Sequence, residues 1–461
     1  MTLKEYLSSL AGKRVAVVGA GISNRPLIAL LVQADVDLTV CDRTTAEALG
    51  DFYTEYAKQD VTFRLGEGYL DDLSADIIFR TPGMHPGQPA LRAAAERGAV
   101  VTSEMEVFFS LCPCRIFAIT GSDGKTTTTT LTAELLKAAG YTIWLGGNIG
   151  RPLLSDVDRM APGDAVVLEL SSFQLHSMTC SPEVALITNI SPNHLDVHPD
   201  YQDYIDAKKQ VFVNQGPDSR LVLNLDNDVT AACASEAHGE VLWFSRRQAV
   251  DNGFFLRPDG MICGSEKGEL TEILPASELL IPGVHNIENM MAAFAAVRGF
   301  VDPAVMRSVA RSFTGVAHRL EKIRVLRGVT YINDSIASSP NRTIAGLNCF
   351  AEKVILIAGG KDKGITYDAI GPAITAHVKK LYLTGMTADV IREAVLKAPD
   401  YVPGRPEIFM IDGFDEAIRA AAKDAREGDV VLLSPASTSF DRFKNFEERG
   451  NRFRSVVEAL D

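Results

Sequence analysis

Short apolar runs recur along the chain, each followed by a glycine-rich or polar loop and then by an amphipathic stretch. RVAVVGAG from Arg14, DLTVCD ending at Asp42, RIFAIT ending at Thr120, AVVLEL ending at Leu170 and EVALITNI ending at Ile190 are the clearest in the first two thirds. VTYIND, KVILIAGG, KKLYLTG and DVVLLSPA follow between Val329 and Ala436. Runs of this length with no polar alternation predict strands buried on both faces, as in parallel sheets. Alternation with helical periodicity predicts α/β architecture with mainly parallel sheets. Three blocks separate: residues 1–103, with a helix starting near Pro26 and loops at TPGMHPGQP; residues 104–314, closed by the apolar helix HNIENMMAAFAAVRGF; and residues 315–461, a second doubly wound unit.

Composition sharpens the picture in three respects. No apolar run is long enough to span a bilayer, and the N-terminus lacks a signal peptide's apolar stretch, so a cytoplasmic chain that does not contact membrane is expected. The seven cysteines are scattered, with only Cys112 and Cys114 close together, which reads as reduced thiols. The formal net charge of −13 disfavours nucleic-acid binding, so any nucleotide chemistry needs locally concentrated cations.

The strongest such concentration is ITGSDGKTTTTTL, Ile119 to Leu131. An apolar strand feeds a glycine turn, then Lys125, then a helix. Gly121, Ser122, Asp123 and Gly124 expose backbone amides, the helix N-terminus adds partial positive charge, and Lys125 adds a full one. Thr126, directly after the lysine, stands where a hydroxyl ligates Mg²⁺, with Thr127 beside it. The usual phosphate-loop spacing would need glycine where Ile119 stands, so the loop is a variant; the plainer alternative is a glycine turn capping an ordinary helix. Glu169 closes a buried apolar strand, where a carboxylate is costly unless bonded or bound to metal. It suits Mg²⁺ shared with Thr126, or a simple hydrogen-bonded strand end. On the predicted helix YQDYIDAKKQVFVN, Tyr204, Lys208, Val211 and Phe212 share one face while Lys209 points elsewhere. Lys208 either snorkels or is desolvated, with a lowered pKa and a reactive neutral amine. The N-terminal GAGIS followed by Asp42 is a partial dinucleotide fingerprint in which Asn24 replaces the third glycine. It leaves a dinucleotide-dependent oxidoreductase open as one reading, and a non-catalytic nucleotide-binding scaffold is another.

The loop TGSDGKT resembles that of the Mur ligases and their folylpolyglutamate synthase relatives. Further matches follow in the family's order: GGNIG, LELSSFQL, NISPNHLD, the lysine of DAKKQVF, HNIEN, AHR and NDS. SPASTSFDRFKNFEERG is similar to the D-glutamate-adding members, against the alternative of a ligase for another amino acid or a folate tail. The resemblance implies three domains: a Rossmann-like one holding the UDP-sugar, a central ATPase and a C-terminal domain for D-glutamate. It implies ATP-dependent joining of D-glutamate to UDP-N-acetylmuramoyl-L-alanine through an acyl phosphate, by a monomer using two Mg²⁺ ions. It places Lys125, Glu169, His194 and Lys208 at the reaction, His194 as a metal ligand and Lys208 as a carbamate ligating Mg²⁺. His194 by itself also reads as part of a surface loop. Asn289, Arg319 and Asp334 would contact the nucleotide. Ile22, Ser23, Asp42, Arg43, Gly83 and Asn148 would meet the UDP-sugar, and Lys363, Ser439 and Phe446 the D-glutamate, with Lys361 close by. One departure stands out: where many members read NDSKAT this chain reads NDSIAS, so Ile336 replaces a lysine.

Overall fold

The computed structural model describes the whole chain except Ile22, His194–Asp196, Pro282 and Lys363–Gly364. It divides into two compact units, Met1–Phe313 and Thr314–Asp461. Among the described residues no helix is long and apolar enough to cross a membrane. The seven cysteines form no disulfide.

The first unit is built on two sheets. The smaller has the order Val61–Leu65, Asp37–Asp42, Arg14–Val18, Ile77–Arg80, Val100–Thr102, all parallel. Val15 to Val18 and Ile77 to Arg80 are buried on both faces, which is why their sequences show no alternation. The chain lays its first three strands to one side, then crosses over, and a crevice opens at the strands' carboxyl ends where the order reverses.

The larger sheet has nine strands. Seven are parallel, in the order Asn252–Leu256, Glu240–Ser245, Arg220–Asn224, Val184–Ile187, Arg115–Thr120, Ala165–Glu169, Ile143–Gly147. Arg115–Thr120 lies inside, so the loops after Thr120, Glu169 and Ile187 open side by side at one end. The helix Lys125–Ala138 packs on Val284–Val297, whose run of buried alanines permits close approach. Two further strands, Met261–Glu266 and Glu269–Pro275, add an antiparallel meander at the edge, which the strand–helix pattern did not anticipate. Its signal was short-range. Asp259-Gly260 closes one turn, and Lys267-Gly268 closes the next with both residues at positive φ, 50° and 87°, as a tight hairpin requires.

The helix bearing Lys208 is shorter than its periodicity predicts, running Tyr201–Lys209. Val211 and Phe212 fall in the turn beyond it, yet both are fully buried beside Tyr204 and Lys208, so the apolar stripe continues after helical geometry ends.

The second unit is a six-stranded sheet ordered Glu321–Leu326, Val329–Asn333, Val430–Leu433, Val354–Ala358, Val378–Leu383, Glu407–Met410. Only the first pair is antiparallel. Leu347, Ile370, Ile374, Ile391 and Val395 cover one face from three helices. Phe414, Ile418, Phe453 and Val457 cover the other from two. The final strand inserts between Val329–Asn333 and Val354–Ala358, a second order reversal with its own crevice.

Phe117, 1% exposed on the central strand, meets Phe300 edge-on with ring centroids 5.3 Å apart. Truncating such a side chain costs about 3–5 kcal/mol. Phe117→Ala is expected to lower the chemical-denaturation midpoint strongly, whereas Val390→Ala, at an exposed helical position, should leave it near the parent value.

Candidate active site

The turn after Arg115–Thr120 is shaped by two glycines. Gly121 has φ +145°, and a Cβ there would lie 1.8 Å from Thr188 Oγ1. Gly124 has φ +78° and caps the following helix, and a Cβ there would lie 2.2 Å from Asn289 Oδ1. Neither position accepts another side chain without displacing a neighbour. The adjoining loop holds the turn: Ser122 N–H donates to Asn189 O (2.8 Å), Asp123 N–H to Asn189 Oδ1 (3.0 Å), and Thr188 Oγ1 to Asp123 O (2.6 Å). Ser122 Oγ donates to Ser191 O at 3.0 Å and stands 3.0 Å from the Tyr204 hydroxyl. Thr126 is buried in the first helical turn and Thr127 half-buried.

Two lysines converge on this turn from different elements. Lys125 Nζ donates to Gly121 O and Ser122 O, both at 2.9 Å. Lys208 Nζ donates to the same Gly121 O at 2.8 Å and to Thr120 Oγ1 at 3.4 Å, and lies 4.7 Å above the Tyr204 ring. Lys208 is 1% exposed. Burial pushes its pKa well below the ordinary value, and the Lys125 charge pushes it further; Asp123 and Glu169 oppose the shift without reversing it. Desolvation and not snorkelling therefore describes this side chain, and its amine is readily neutral. Lys209 points away to a surface pair with Glu236 at 2.6 Å.

Glu169 ends the neighbouring strand, 2% exposed. Its Oε1 accepts Asn148 Nδ2 at 2.7 Å, while Oε2 is buried with no hydrogen-bond partner. Asn148 is thus committed to Glu169. Asn289, on the helix Val284–Val297, accepts the Thr128 hydroxyl at 3.3 Å and abuts Gly124, so it contacts the turn itself.

In the smaller sheet, Asp42 accepts Ala20 N–H (2.7 Å) and Thr44 N–H (2.8 Å). Burial works to raise its carboxyl, but hydrogen bonds with Thr44 and Ala20 outweigh it and hold the pKa below the ordinary value. Asn24, in the fingerprint's third-glycine place, is fully buried and donates to Val18 O (3.2 Å) and Gly19 O (2.9 Å). A side chain that laces the loop to its own strand replaces the close helix approach that glycine permits. Ser23 lines a narrow cleft with Arg80, Pro82, Glu104, Gly147 and Gln174. Gly83 and Arg43 lie on neighbouring loops, beside Pro82 and Asp42 respectively.

Sequence reasoning missed Arg80. Its guanidinium, 1% exposed, donates to Ser177 Oγ (2.5 Å), Met84 O (2.9 Å) and Phe173 O (3.2 Å), tying the smaller sheet to the loop beyond Glu169. The signal was present: a charge closing the apolar run IIFR stands as Glu169 does at the end of AVVLE. Also missed was a cluster of His85, His176 and His198 around Asp203, which no sequence spacing connects.

In the second unit, Asp334 is almost fully buried, accepting Ser434 Oγ (2.8 Å) and Leu320 N–H (3.2 Å), and burial raises its pKa to about 7. Arg319, half-buried, is close enough to bias that carboxyl. Arg449, 2% exposed, donates to Ser335 Oγ (3.0 Å), Ser335 O (2.9 Å) and Ser437 O (3.0 Å). It braces two of the loops that form the crevice. Ser439 is buried there, and Phe446 opens the last helix with its carbonyl accepting Ser335 Oγ at 2.8 Å. At the Ile336 position, Arg342 Nη1 donates to the Ile336 carbonyl at 3.2 Å, bringing a cation where the apolar side chain supplies none. Ile22, His194 and Lys363 lie outside the described residues.

Comparison with known proteins gives matches over the whole chain. Residues 119–297 match the Mur ligase middle domain and residues 318–437 the glutamate ligase domain of Mur ligases. The chain is similar over its full length to the UDP-N-acetylmuramoylalanine–D-glutamate ligase of Acetivibrio thermocellus, at 53% identity covering 100% of this chain and 99% of the relative. The corresponding ligase of Ruminiclostridium cellulolyticum is 51% identical, with 99% of each chain covered. Among solved structures, the fold is similar to the UDP-N-acetylmuramate–alanine ligase of Thermotoga maritima (TM-score 0.54, 18% identity, 97% of this chain and 99% of that one). A pseudomurein peptide ligase of Methanothermus fervidus gives a TM-score of 0.52 at 18% identity, covering 98% of this chain and 100% of that one.

Asp334 yields a pH prediction. An unfolded aspartate ionises near 3.8, whereas the folded one holds its proton to about 7. Between those values the unfolded state sheds a proton that the folded state keeps, so this group lowers stability as pH rises from about 4 to 7 and no further above. In Asp334→Asn that slope should vanish. Its stability relative to the parent chain is expected to climb across the same window by on the order of a few kcal/mol, read from denaturation midpoints at stepped pH.

Proposed function

The chain belongs to the Mur ligase family, and on that premise we propose how its own residues carry the reaction. It is an ATP-dependent ligase that adds D-glutamate to UDP-N-acetylmuramoyl-L-alanine in peptidoglycan synthesis. The observation that carries the reading is the meeting of Lys125 and Lys208 on the Gly121 carbonyl, beside a Glu169 oxygen with no partner.

ATP lies with its phosphates on the turn Gly121 to Gly124, where backbone amides, the helix N-terminus and Lys125 gather positive charge. Asp123, Thr127, Asn289, Arg319 and Asp334 complete the nucleotide contacts. An orphaned, buried carboxylate oxygen fits a cation, and Mg²⁺ is generic for the family; Glu169, Thr126, His194 and Lys208 would hold two such ions, whose contribution is to neutralise phosphate charge. Lys208 does so as a carbamate. Its neutral amine attacks carbon dioxide, an N–C bond forms, and one N–H proton passes to solvent, leaving an anionic oxygen donor where a cation stood. The adverse Lys125–Lys208 pair becomes an attractive one.

The alanyl carboxylate attacks the γ-phosphorus, the bond to the ADP oxygen breaks, and an acyl phosphate forms. The D-glutamate amine then attacks the acyl carbon, losing a proton as phosphate departs, and an amide results. No side chain serves as nucleophile; Lys125 and the turn cancel charge while the two substrates are held in line. Ser23, Ile22, Asp42, Arg43, Gly83 and Asn148 hold the UDP-sugar, and Lys363, Ser439 and Phe446 the D-glutamate, with Lys363 replacing the charge that Ile336 lacks. These roles divide the chain into three domains, 1–103, 104–314 and 315–461, acting as a cytoplasmic monomer.

ADP release is expected to require both UDP-N-acetylmuramoyl-L-alanine and D-glutamate, with L-glutamate, L-alanine and diaminopimelate inactive. Equal turnover with any of these would overturn the glutamate assignment and leave the ligase class intact. Lys208→Ala is expected to be nearly inactive and to regain part of its turnover in short-chain carboxylate buffers, whereas Lys209→Ala stays close to the parent rate. An active Lys208→Ala protein without added carboxylate would remove the carbamate from the mechanism.

A further inference from the structure

One side of the Lys208 helix carries a cluster that the ligase reaction leaves unused. Asp203, on Tyr201–Lys209, meets His176 Nε2 with Oδ1 at 2.9 Å and His198 Nδ1 with Oδ2 at 2.6 Å. His85 Nε2 stands 3.7 Å from the same Oδ2. The His85 and His176 rings lie edge to face with centroids 4.4 Å apart. One ligand atom each from His85, His176 and Asp203 falls within 4.8 Å of the other two.

The three residues come from separate places. His85 follows the strand Ile77–Arg80 of the smaller sheet, His176 follows the short helix after Glu169, and Asp203 shares a helix with Lys208. His198 is already committed, its Nε2 facing Ser172 Oγ at 2.9 Å, so it holds the carboxylate from outside. His85 is not: Nε2 is buried without a hydrogen-bond partner. The Gly87 N–H donates to its Nδ1 at 2.9 Å, which leaves the proton on the unpartnered Nε2. Gly87 is exposed, so its N–H can turn to water when His85 takes the other tautomer and frees the Nε2 lone pair.

Two imidazoles and one carboxylate suit Zn²⁺ and its neighbours among divalent transition metals, whereas Mg²⁺ favours oxygen donors. Ligand bonds of about 2.0–2.2 Å put tetrahedral ligand atoms roughly 3.3–3.6 Å apart, so small ring rotations close the present arrangement. We propose that His85, His176 and Asp203 form a site for a Zn²⁺-class ion, with His198 orienting the carboxylate, that clamps the loop beyond the smaller sheet to the helix carrying Lys208. The ion binds away from the phosphate turn and is not part of the phosphoryl transfer. A ligating aspartate held by a second, hydrogen-bonded histidine is the outer-shell support that metal sites use.

Co²⁺ titration of the full-length, tag-free chain tests this, with excess Mg²⁺ present to occupy oxygen-donor sites. One equivalent of Co²⁺ should give the visible d–d bands of a four-coordinate ion, and Zn²⁺ should abolish them. His85→Gln and His176→Gln should each weaken Co²⁺ binding by about a hundredfold or more, while His238→Gln, at an exposed histidine, should not. Zn²⁺ should also raise the thermal midpoint of the parent chain and not that of His85→Gln. Far-UV circular dichroism checks that the variants fold, and ligase turnover in Mg²⁺ alone is read separately, so failure here is distinguishable from failure of the ligase reading. Absence of the Co²⁺ bands, or bands that persist in both histidine variants, would overturn the proposal.

Discussion

The first unit depends on a single carbonyl. Gly121 O accepts both Lys125 Nζ, from the helix that the turn begins, and Lys208 Nζ, from a helix far along the chain. Two amines so close, one of them almost wholly desolvated, are held together by geometry against their own electrostatics. Burial and mutual repulsion both favour a neutral Lys208. In a chain of net charge −13, this is how positive charge becomes local and adjustable. The glycine at 121 is required because Thr188 leaves no room for a Cβ, so the loop that orders the turn also excludes any other residue.

A second constraint is the stitching between the two sheets of the first unit. Arg80 reaches from the smaller sheet to Phe173 and Ser177, just past Glu169, and the histidines around Asp203 link the same elements from the other side. A buried guanidinium satisfied by carbonyls and a hydroxyl is rigid because any movement leaves its donors unpaired. The cleft containing Ser23 is therefore framed by groups that resist displacement. In the second unit Arg449 has the same role, with Ser335 and Ser437 as its acceptors.

Much of this was legible before folding. The uninterrupted apolar runs marked buried strands, and those ending at Ala358 and Leu383 run into a cleft lined by Gly359, Gly360 and Thr384. The order strand, glycine turn, Lys125, helix was legible because each part has a local cause, and the structure forms those elements in that order, with Gly121 and Gly124 at positive φ. Lys208 was singled out by its place on an apolar stripe, and its burial is the structural counterpart. The stripe outlasted the helix, since burial of Val211 and Phe212 needs only that they face the core, whatever the backbone does there.

The sequence by itself thus marked the apolar strands at the heart of each sheet, the carboxylate that closes one of them at Glu169, and Lys208 as a lysine on an apolar face, since these follow from periodicity and local chemistry. That Lys208 is desolvated was decided by the fold. Tertiary structure alone decided what meets what. Asn148 became the partner of Glu169, Asn289 the reason for Gly124, and Asp334 an interior carboxyl with a raised pKa, because each depends on contacts between residues distant in sequence. His85, His176 and Asp203 are the extreme case. They are separated by long stretches of chain and share no motif, and only strand order and helix placement bring their ring nitrogens and carboxylate to one point. Local pattern carries information about a residue's own environment; the identity of its neighbours is fixed by topology, which no single segment contains.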